Sequence, residues 1–340
     1  MVTPVTISQR VTIHDVARTA GVSPATVSKV INGRYGVALA TTERVRAVIE
    51  ELGYESSLVA RSLRSHRTNV IGILVAEFEP FSAEILKGVS TAIGGTGYEL
   101  LAYSSGDSAG ARAGWERRSL SRLSGTLIDG AILVTPTVVD SGGTTPVVAI
   151  DPHAGPLGMP TVDSDNFTGA LTATNHLLSL GHRRIGFLGG RADLESSRLR
   201  EEGYRAALEA AGVVPDPDLV RGGDYRREGA HVPARELLTL AERPTAIFAA
   251  NDLSAIGTMD VARELGISVP DELSVIGFDN VPESALTGPP LTTIAQPMRE
   301  MGAAALSLLV GLLDGTREPG SHVRLPTELV ARSSTARPRA

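Results

Sequence analysis

VTIHDVARTAGVSPATVSKVING, residues 11–33, holds two short helices and the turn that joins them. Thr12 with Asp15 three residues on has the spacing of a capping box, in which a hydroxyl and an acid satisfy exposed backbone donors at a helix start. Ile13, Val16, Ala17 and Ala20 then recur at i, i+3, i+4 and i+7, one apolar stripe of an α-helix. Gly21 ends that helix, because glycine accepts the left-handed conformation a C-cap requires. Ser23 is a favourable N-cap, and Pro24 takes the first helical position, where a missing N–H costs nothing. The second helix turns Val27, Val30 and Ile31 inward and stops at Asn32-Gly33. Its other face carries Ala25, Thr26, Ser28, Lys29 and Asn32.

Val45, Val48, Ile49 and Leu52, followed by Gly53, predict a third helix of the same kind. Two helices joined by a tight glycine turn, the second small and polar outside, describe a helix-turn-helix. That outer face suits DNA. Small residues permit close approach to the major-groove floor, hydroxyls and Asn32 reach phosphates, and Lys29 can donate to guanine O6 and N7. From the residues alone, a plain three-helix bundle with a solvated outer face fits the same pattern.

Charge separates this head from the rest of the chain. The 340 residues carry a net charge of −6, yet residues 1–68 hold nine Lys/Arg against five Asp/Glu. A basic head on an acidic body points to a polyanion partner for the head. The 42% hydrophobic and 21% charged residues are an ordinary globular balance. Zero cysteines exclude disulfides, thiolate metal sites and a cysteine nucleophile. No apolar run approaches the ~18 residues that cross a bilayer, and MVTPVTISQRVTIHDV lacks the apolar core of a signal peptide, so a cytoplasmic protein is expected.

Residues 11–33 closely resemble the DNA-binding head of the LacI/GalR family of transcriptional regulators. The match continues through Thr41, Arg44-Val45 and Leu52-Gly53-Tyr54 to Ala60-Arg61-Ser62-Leu63. The resemblance implies DNA contacts from Thr12, His14, Ser23, Pro24, Ala25, Thr26, Ser28, Lys29, Asn32, Tyr54 and Leu63. Residues 58–67 would form a hinge helix ordered only on operator DNA, with Leu63 wedged into the minor groove to open a base step. Two positions depart from the family. Ala38 stands where a Ser or Thr usually caps the third helix, which leaves Thr41 or Thr42 as the cap of a shorter helix. Ser56-Ser57 stand where Pro-Asn usually follows the tyrosine.

Beyond residue 68 the pattern alternates strand and helix. Val70–Val75 is a continuous apolar run, as a buried parallel strand requires. Further strands are expected at 98–103, 130–134, 147–150, 184–188, 246–249 and 274–278. Helices are expected at 81–95, 110–124, 166–180, 197–212, 226–240 and 252–265. Alternation of this kind implies parallel sheets covered on both faces, and so many strands are better divided between two doubly wound lobes. The expected fold is thus a small all-α helix-turn-helix head on an α/β body of two parallel-sheet lobes. The family resemblance extends over this body through Pro80-Phe81, Ala83–Gly88, Asp165-Asn166, Gly181–Gly186, Gly203-Tyr204-Arg205, Ala250-Asn251-Asp252, Gly277–Asn280 and Leu291–Ile294. It implies a body like the periplasmic sugar-binding proteins. By that analogy the chain divides into a disordered extension (1–10), the head (11–57), the hinge (58–67), an effector-binding and dimerisation domain (68–335) and a tail (336–340). Lobe one would comprise 70–160 and 294–322, and lobe two 161–292 and 323–335.

In such sheets ligands collect at the carboxyl ends of strands, between the lobes. Matching motifs nominate Arg200 and Asp279 first, then Asp151, Asn251, Tyr225 and Phe81. A guanidinium fork, carboxylates and an aromatic face suit a sugar or sugar derivative. From the residues alone the competing readings are a surface arginine for Arg200, a turn former for Asp279 and lobe packing for Tyr225. Gly106–Gly110 matches G-x-S-x-G but no triad partners accompany it, and no phosphate loop or metal-ligand spacing occurs. His182, in a Gly-His-Arg turn before a strand, reads as a structural histidine. No catalytic residue, metal or cofactor is expected. The resulting function is a dimeric repressor on palindromic operator DNA, controlled by a small ligand and independent of membranes. The alternative is a transport-type solute-binding protein, which explains the body but not the head.

Overall fold

The computed structural model describes residues 11–31, 35–54, 67–104, 114–137, 145–155, 158–318 and 320–339. These fall into two units, Met1–Thr68 and Asn69–Ala340.

Among the described residues the first unit has three helices: α1 (Ile13–Ala20), α2 (Pro24–Ile31) and α3 (Leu39–Leu52). Asp15 closes the start of α1, its carboxylate accepting from the Thr12 N–H at 3.0 Å and the Thr12 hydroxyl at 2.7 Å. Gly21, at φ 65°, ends α1; its N–H donates to Arg18 and that of Val22 to Ala17. This is the paired bonding of a glycine-terminated helix, and it sets the turn into α2. Ser23 caps α2 by accepting from the Thr26 N–H at 3.2 Å. Val16, Val27 and Val45 are completely buried at the centre, ringed by Ala17, Ala20, Val30 and Val48. Each buried valine contributes about 1.5–3 kcal/mol of transfer free energy. The start of α3 differs from expectation. Neither Thr41 nor Thr42 caps it; the helix begins at Leu39 after an uncapped Ala38, and the Thr42 hydroxyl donates back to the Ala38 carbonyl at 3.2 Å. Thr42 therefore sits inside the first turn, and the cap position has no side chain to offer.

In the second unit the elements run β1 (Val70–Val75), α4 (Pro80–Ala92), β2 (Glu99–Ser104), α5 (Trp115–Leu123), β3 (Gly130–Val134), β4 (Val147–Ile150), β5 (Thr161–Ser164), α6 (Asn166–Ser179) and β6 (Ile185–Leu188). There follow α7 (Glu195–Ala210), β7 (Val220–Arg221), α8 (His231–Leu238), β8 (Ala246–Ala249), α9 (Asp252–Glu264), β9 (Ser274–Asp279), β10 (Thr292–Ala295), α10 (Met298–Leu313), β11 (His322–Leu325) and β12 (Glu328–Val330). Two six-stranded sheets result, in the orders β11-β5-β4-β3-β1-β2 and β12-β10-β9-β8-β6-β7. Among the described residues every strand pairing is parallel except β12 on β10. The two-lobed, doubly wound body is the architecture the alternation implies.

Its boundaries are displaced from expectation. β5 pairs with β4 and β11 and so belongs to the first sheet, as does β11, while β10 stays in the second. The chain therefore changes lobe at 164–166, 295–298 and 325–328. Four-residue strands such as β5, bounded by polar residues, carry too little periodicity to be assigned before their partners are known. The helix expected at 226–240 is shorter, a 3₁₀ turn at Glu228–Ala230 followed by α8. This register puts Pro233 in the first turn of α8, where no backbone bond is lost. No helix is expected from the sequence at 298–313, where near-continuous apolar residues hide the stripe. There α10 lies against α4 and covers the first sheet through Met301, Ala305, Leu308 and Leu309. The approach is close: a Cβ at Gly88 would fall 2.1 Å from the Arg299 carbonyl oxygen, and one at Gly302 would fall 2.4 Å from that of Ile85. Only glycine fits at this crossing. Among the described residues no helix is long and apolar enough to cross a membrane.

Candidate functional site

The head presents α2 outward. Ser23, Ala25 and Lys29 are exposed, while Pro24, Thr26 and Ser28 are half-buried at the edges of the same face. The Ser23 and Thr26 hydroxyls lie 3.0 Å apart at the start of α2. Thr12 and His14 are exposed at the start of α1. Tyr54 is different: its ring packs against the head core and its N–H donates to the Ile49 carbonyl at 3.0 Å. Asn32, residues 55–66 with Leu63, and the Gly106–Gly110 motif lie outside the described residues.

The second unit holds a cleft of about 190 Å³ lined by residues of both lobes. All six residues nominated from the sequence meet there. Phe81 opens α4, Asp151 follows β4, Asn251 follows β8 and Asp279 ends β9, placing three of them at carboxyl ends of strands. Thr135, Asp151, Tyr225 and Asp279 all line the cleft with positive φ, 46°, 48°, 68° and 115°. Such backbone costs about 1–3 kcal/mol per residue and gathers where side chains must be aimed.

Arg200 is 3% exposed, not a surface arginine. Its guanidinium carbon lies 3.9 Å from the centre of the Phe278 ring, and Nε donates to Asn166 Oδ1 at 2.8 Å. Nη1 donates to the Ala250 carbonyl and faces Asp279 Oδ1 at 3.5 Å. Asp279, also buried, accepts from Gln296 Nε2 at 2.6 Å. Gln296 in turn accepts from the Ser164 hydroxyl, and Asn166 donates to the Ser164 carbonyl at 3.2 Å. Arg200, Asn166, Ser164, Gln296 and Asp279 thus form a closed ring of buried polar groups. It joins the cleft floor to two of the segments where the chain changes lobe.

Burial dominates the electrostatics. It pushes the Asp279 carboxyl up to about 7 against the opposing pull of Arg200 and Gln296. It also raises Asp151 and the Tyr225 phenol. The buried Asp252 stands well above the usual carboxylate range, through burial and the nearby Asp279. Asp252 accepts from the Val281 N–H at 2.9 Å and from the Thr293 hydroxyl, holding β9 and β10 to α9. Asn251 has two tasks: Oδ1 caps α9 through Ser254 and Nδ2 donates to the Tyr225 carbonyl, both at 2.9 Å. His153 is pushed down to about 4 by burial and by Arg191. His182 is buried with Thr245, Ser274 and the Ala336 carbonyl as partners at 2.8–3.1 Å, a structural histidine.

Several cleft residues were not legible beforehand, chiefly Gln296 and the Glu77–Arg226 pair. Arg226 Nη2 meets Glu77 Oε1 at 2.8 Å, linking the turn after β7 to the turn after β1 across the two lobes. Gln296 lies two residues beyond the Leu291–Ile294 motif, but an uncharged amide in a loop gives no signal of its own. Among the described residues no cluster of His, Asp and Glu has an arrangement that could hold a metal ion.

Known proteins share this arrangement along nearly the full chain. Residues 12–57 match bacterial regulatory proteins of the lacI family, and residues 174–335 match the periplasmic binding protein-like domain. The HTH-type transcriptional repressor CytR of Escherichia coli (strain K12) is 33% identical over 331 residues, covering 95% of this chain and 96% of that protein. A solved complex of the transcriptional regulator CelR with cellobiose is 34% identical, with a TM-score of 0.70 over 96% of this chain and 100% of that one. The lac repressor dimer bound to operator and the anti-inducer ONPF is 28% identical, with a TM-score of 0.82 over 96% of this chain and 100% of that one. This chain belongs to the lacI family of bacterial regulatory proteins.

Proposed function

We propose that the protein is a dimeric transcriptional repressor that binds a palindromic operator in the cytoplasm and is controlled by a sugar or sugar derivative held between its lobes. The observation that carries this reading is the joining, in one chain, of an exposed polar recognition helix and a cleft floored by the buried Arg200–Asp279 pair. On DNA, Pro24 and Ala25 permit close approach, Ser23 and Thr26 meet phosphate, and Lys29 reads guanine. Two-fold symmetry of the dimer dictates two inverted half-sites. Leu63 acts as the minor-groove wedge, so Leu63→Ala weakens operator binding more than non-specific binding. In the cleft, Arg200 and Asp279 hydrogen-bond ligand hydroxyls from opposite sides, and Phe81 and Tyr225 pack on C–H edges. The relatives solved with cellobiose and with operator support the two halves of this assignment. Ligand that changes lobe closure changes operator affinity, and the coupling is reciprocal, typically ~1–3 kcal/mol.

The test is selection of bound fragments from genomic DNA, footprinting of the enriched site, and titration of the complex with a sugar panel. A two-fold symmetric footprint whose occupancy responds to one sugar is expected. A response that Arg200→Ala and Asp279→Ala leave unchanged would show that the cleft is not the ligand site.

A further inference from the structure

Among the described residues three arginines line the cleft, and each is already engaged by a carboxylate. Arg191 holds Asp193 through two parallel bonds of 3.0 and 2.6 Å. Arg200 faces Asp279 and commits other donors to Asn166 and the Ala250 carbonyl. Arg226 reaches across the lobes to Glu77. The chain's two lysines, Lys29 and Lys87, lie elsewhere, and His153 is held neutral at pH 7 by its lowered pKa of about 4. Against three guanidinium groups stand five lining carboxylates: Glu77, Glu79, Asp151, Asp224 and Asp279. Two of these are the acids that burial pushes upward, a sign that the site resists added negative charge. A phosphate entering here would have to break an ion pair and then sit among carboxylates, of which Asp279 at the cleft floor is buried. Hydroxyl groups meet no such barrier, because carboxylates and backbone carbonyls accept from them.

We propose that the cleft takes an uncharged, polyhydroxylated ligand and rejects its phosphate esters, with Glu77 withdrawing Arg226, and Asp193 withdrawing Arg191, from any anion. This rests on the cleft being the ligand site and adds the charge class of the ligand. The inter-lobe pair Glu77–Arg226 then has two effects, tying the lobes together and removing a guanidinium that would otherwise attract phosphate.

The experiment titrates the full-length protein with inorganic phosphate against chloride at matched ionic strength, followed by thermal unfolding. Wild type is expected to show no saturable stabilisation that depends on Arg226 or Arg191. Glu77→Gln and, independently, Asp193→Asn should each gain phosphate affinity by about tenfold, the scale of one released charge pair. Adding Arg226→Met to Glu77→Gln should abolish that gain. Wild-type phosphate binding that Arg226→Met or Arg191→Met removes would overturn the proposal, as would no gain in either releasing variant. A second arm compares glucose with glucose 6-phosphate and ribose with ribose 5-phosphate; an ester that binds ahead of its parent sugar also overturns it. Should that ester response vanish in Arg200→Ala, the cleft stands as the ligand site and only the charge assignment falls.

Discussion

The head and the cleft solve opposite problems with opposite materials. The head's candidate surface on α2 comes from one stretch of chain, residues 23–29, where Ser23, Ala25 and Lys29 are exposed and Pro24, Thr26 and Ser28 are half-buried. The cleft assembles residues from eight separate segments, and its central pair is buried: Arg200 and Asp279 are 3% and 5% exposed. A duplex is large and brings its own charge, so the head need only offer a convex face with good caps. A small ligand must be enclosed, so the cleft has to bury charges and compensate them with a complete polar ring. Changes in the cleft should therefore register in folding as well as in binding, whereas changes at the exposed Lys29 of α2 should register in binding alone.

Arg200→Ala puts the contrast to its strongest test. It leaves Asp279 buried without its cation, and breaking a buried pair from one side costs about 3–5 kcal/mol. Chemical denaturation should show that loss in the body while the head's operator affinity, measured on the folded fraction, stays near wild type. Arg200→Lys should recover part of the stability. A variant as stable as wild type would mean that the ring is not structurally coupled.

Asp279 gives a pH signature. Its folded-state pKa of about 7 lies above the 3.8 of an ordinary aspartate. A raised carboxyl contributes stability below pH 4 that is lost as the pH rises through 7, because the folded protein resists ionising it. Relative to wild type, Asp279→Asn should therefore gain about 2–4 kcal/mol between pH 4 and pH 8, read from unfolding midpoints across that window. Parallel pH profiles for the two proteins would remove burial as the dominant influence on this group.

Lys29→Ala should cost ~1–3 kcal/mol of operator binding, concentrated at one guanine-bearing position, with no change in unfolding. Equal losses on operator and random DNA would reassign Lys29 to phosphate contact. The smallest effect is expected from Ser23→Ala, which removes the acceptor for the Thr26 N–H and should cost about 1 kcal/mol of head stability. Faster amide exchange in α2 with an unchanged body would confirm the separation; slower exchange would contradict the cap.

The head was legible because its signals are local. Thr12 and Asp15 bond to each other, Gly21 adopts the left-handed conformation, and Ser23 caps α2, each within a few residues along the chain. The start of α3 was misread for the same reason. A capping rule needs a side chain to act on, and Ala38 has none. In the body, long apolar strands and amphipathic helices were readable, while β5, β7, β10, β11 and β12 were not, since strands of two to four residues are defined by their neighbours.

Sequence by itself determined the two-unit plan, the helix-turn-helix and the alternation that builds two parallel sheets, and its family resemblance nominated six residues that meet in the cleft. Its signals there are periodicity, caps and motifs, all of which act over a turn or two of chain. Tertiary structure alone decided that Arg200 is buried against Phe278, that Gln296 and Ser164 close its ring, and that Glu77 bridges to Arg226. Glu77 and Arg226 are 149 positions apart, and Ser164 and Gln296 are 132 apart. No local pattern constrains such pairs; packing two lobes together brings them within bonding distance, and for the buried Ser164 and Gln296 the cost of leaving a polar group unpaired holds them there.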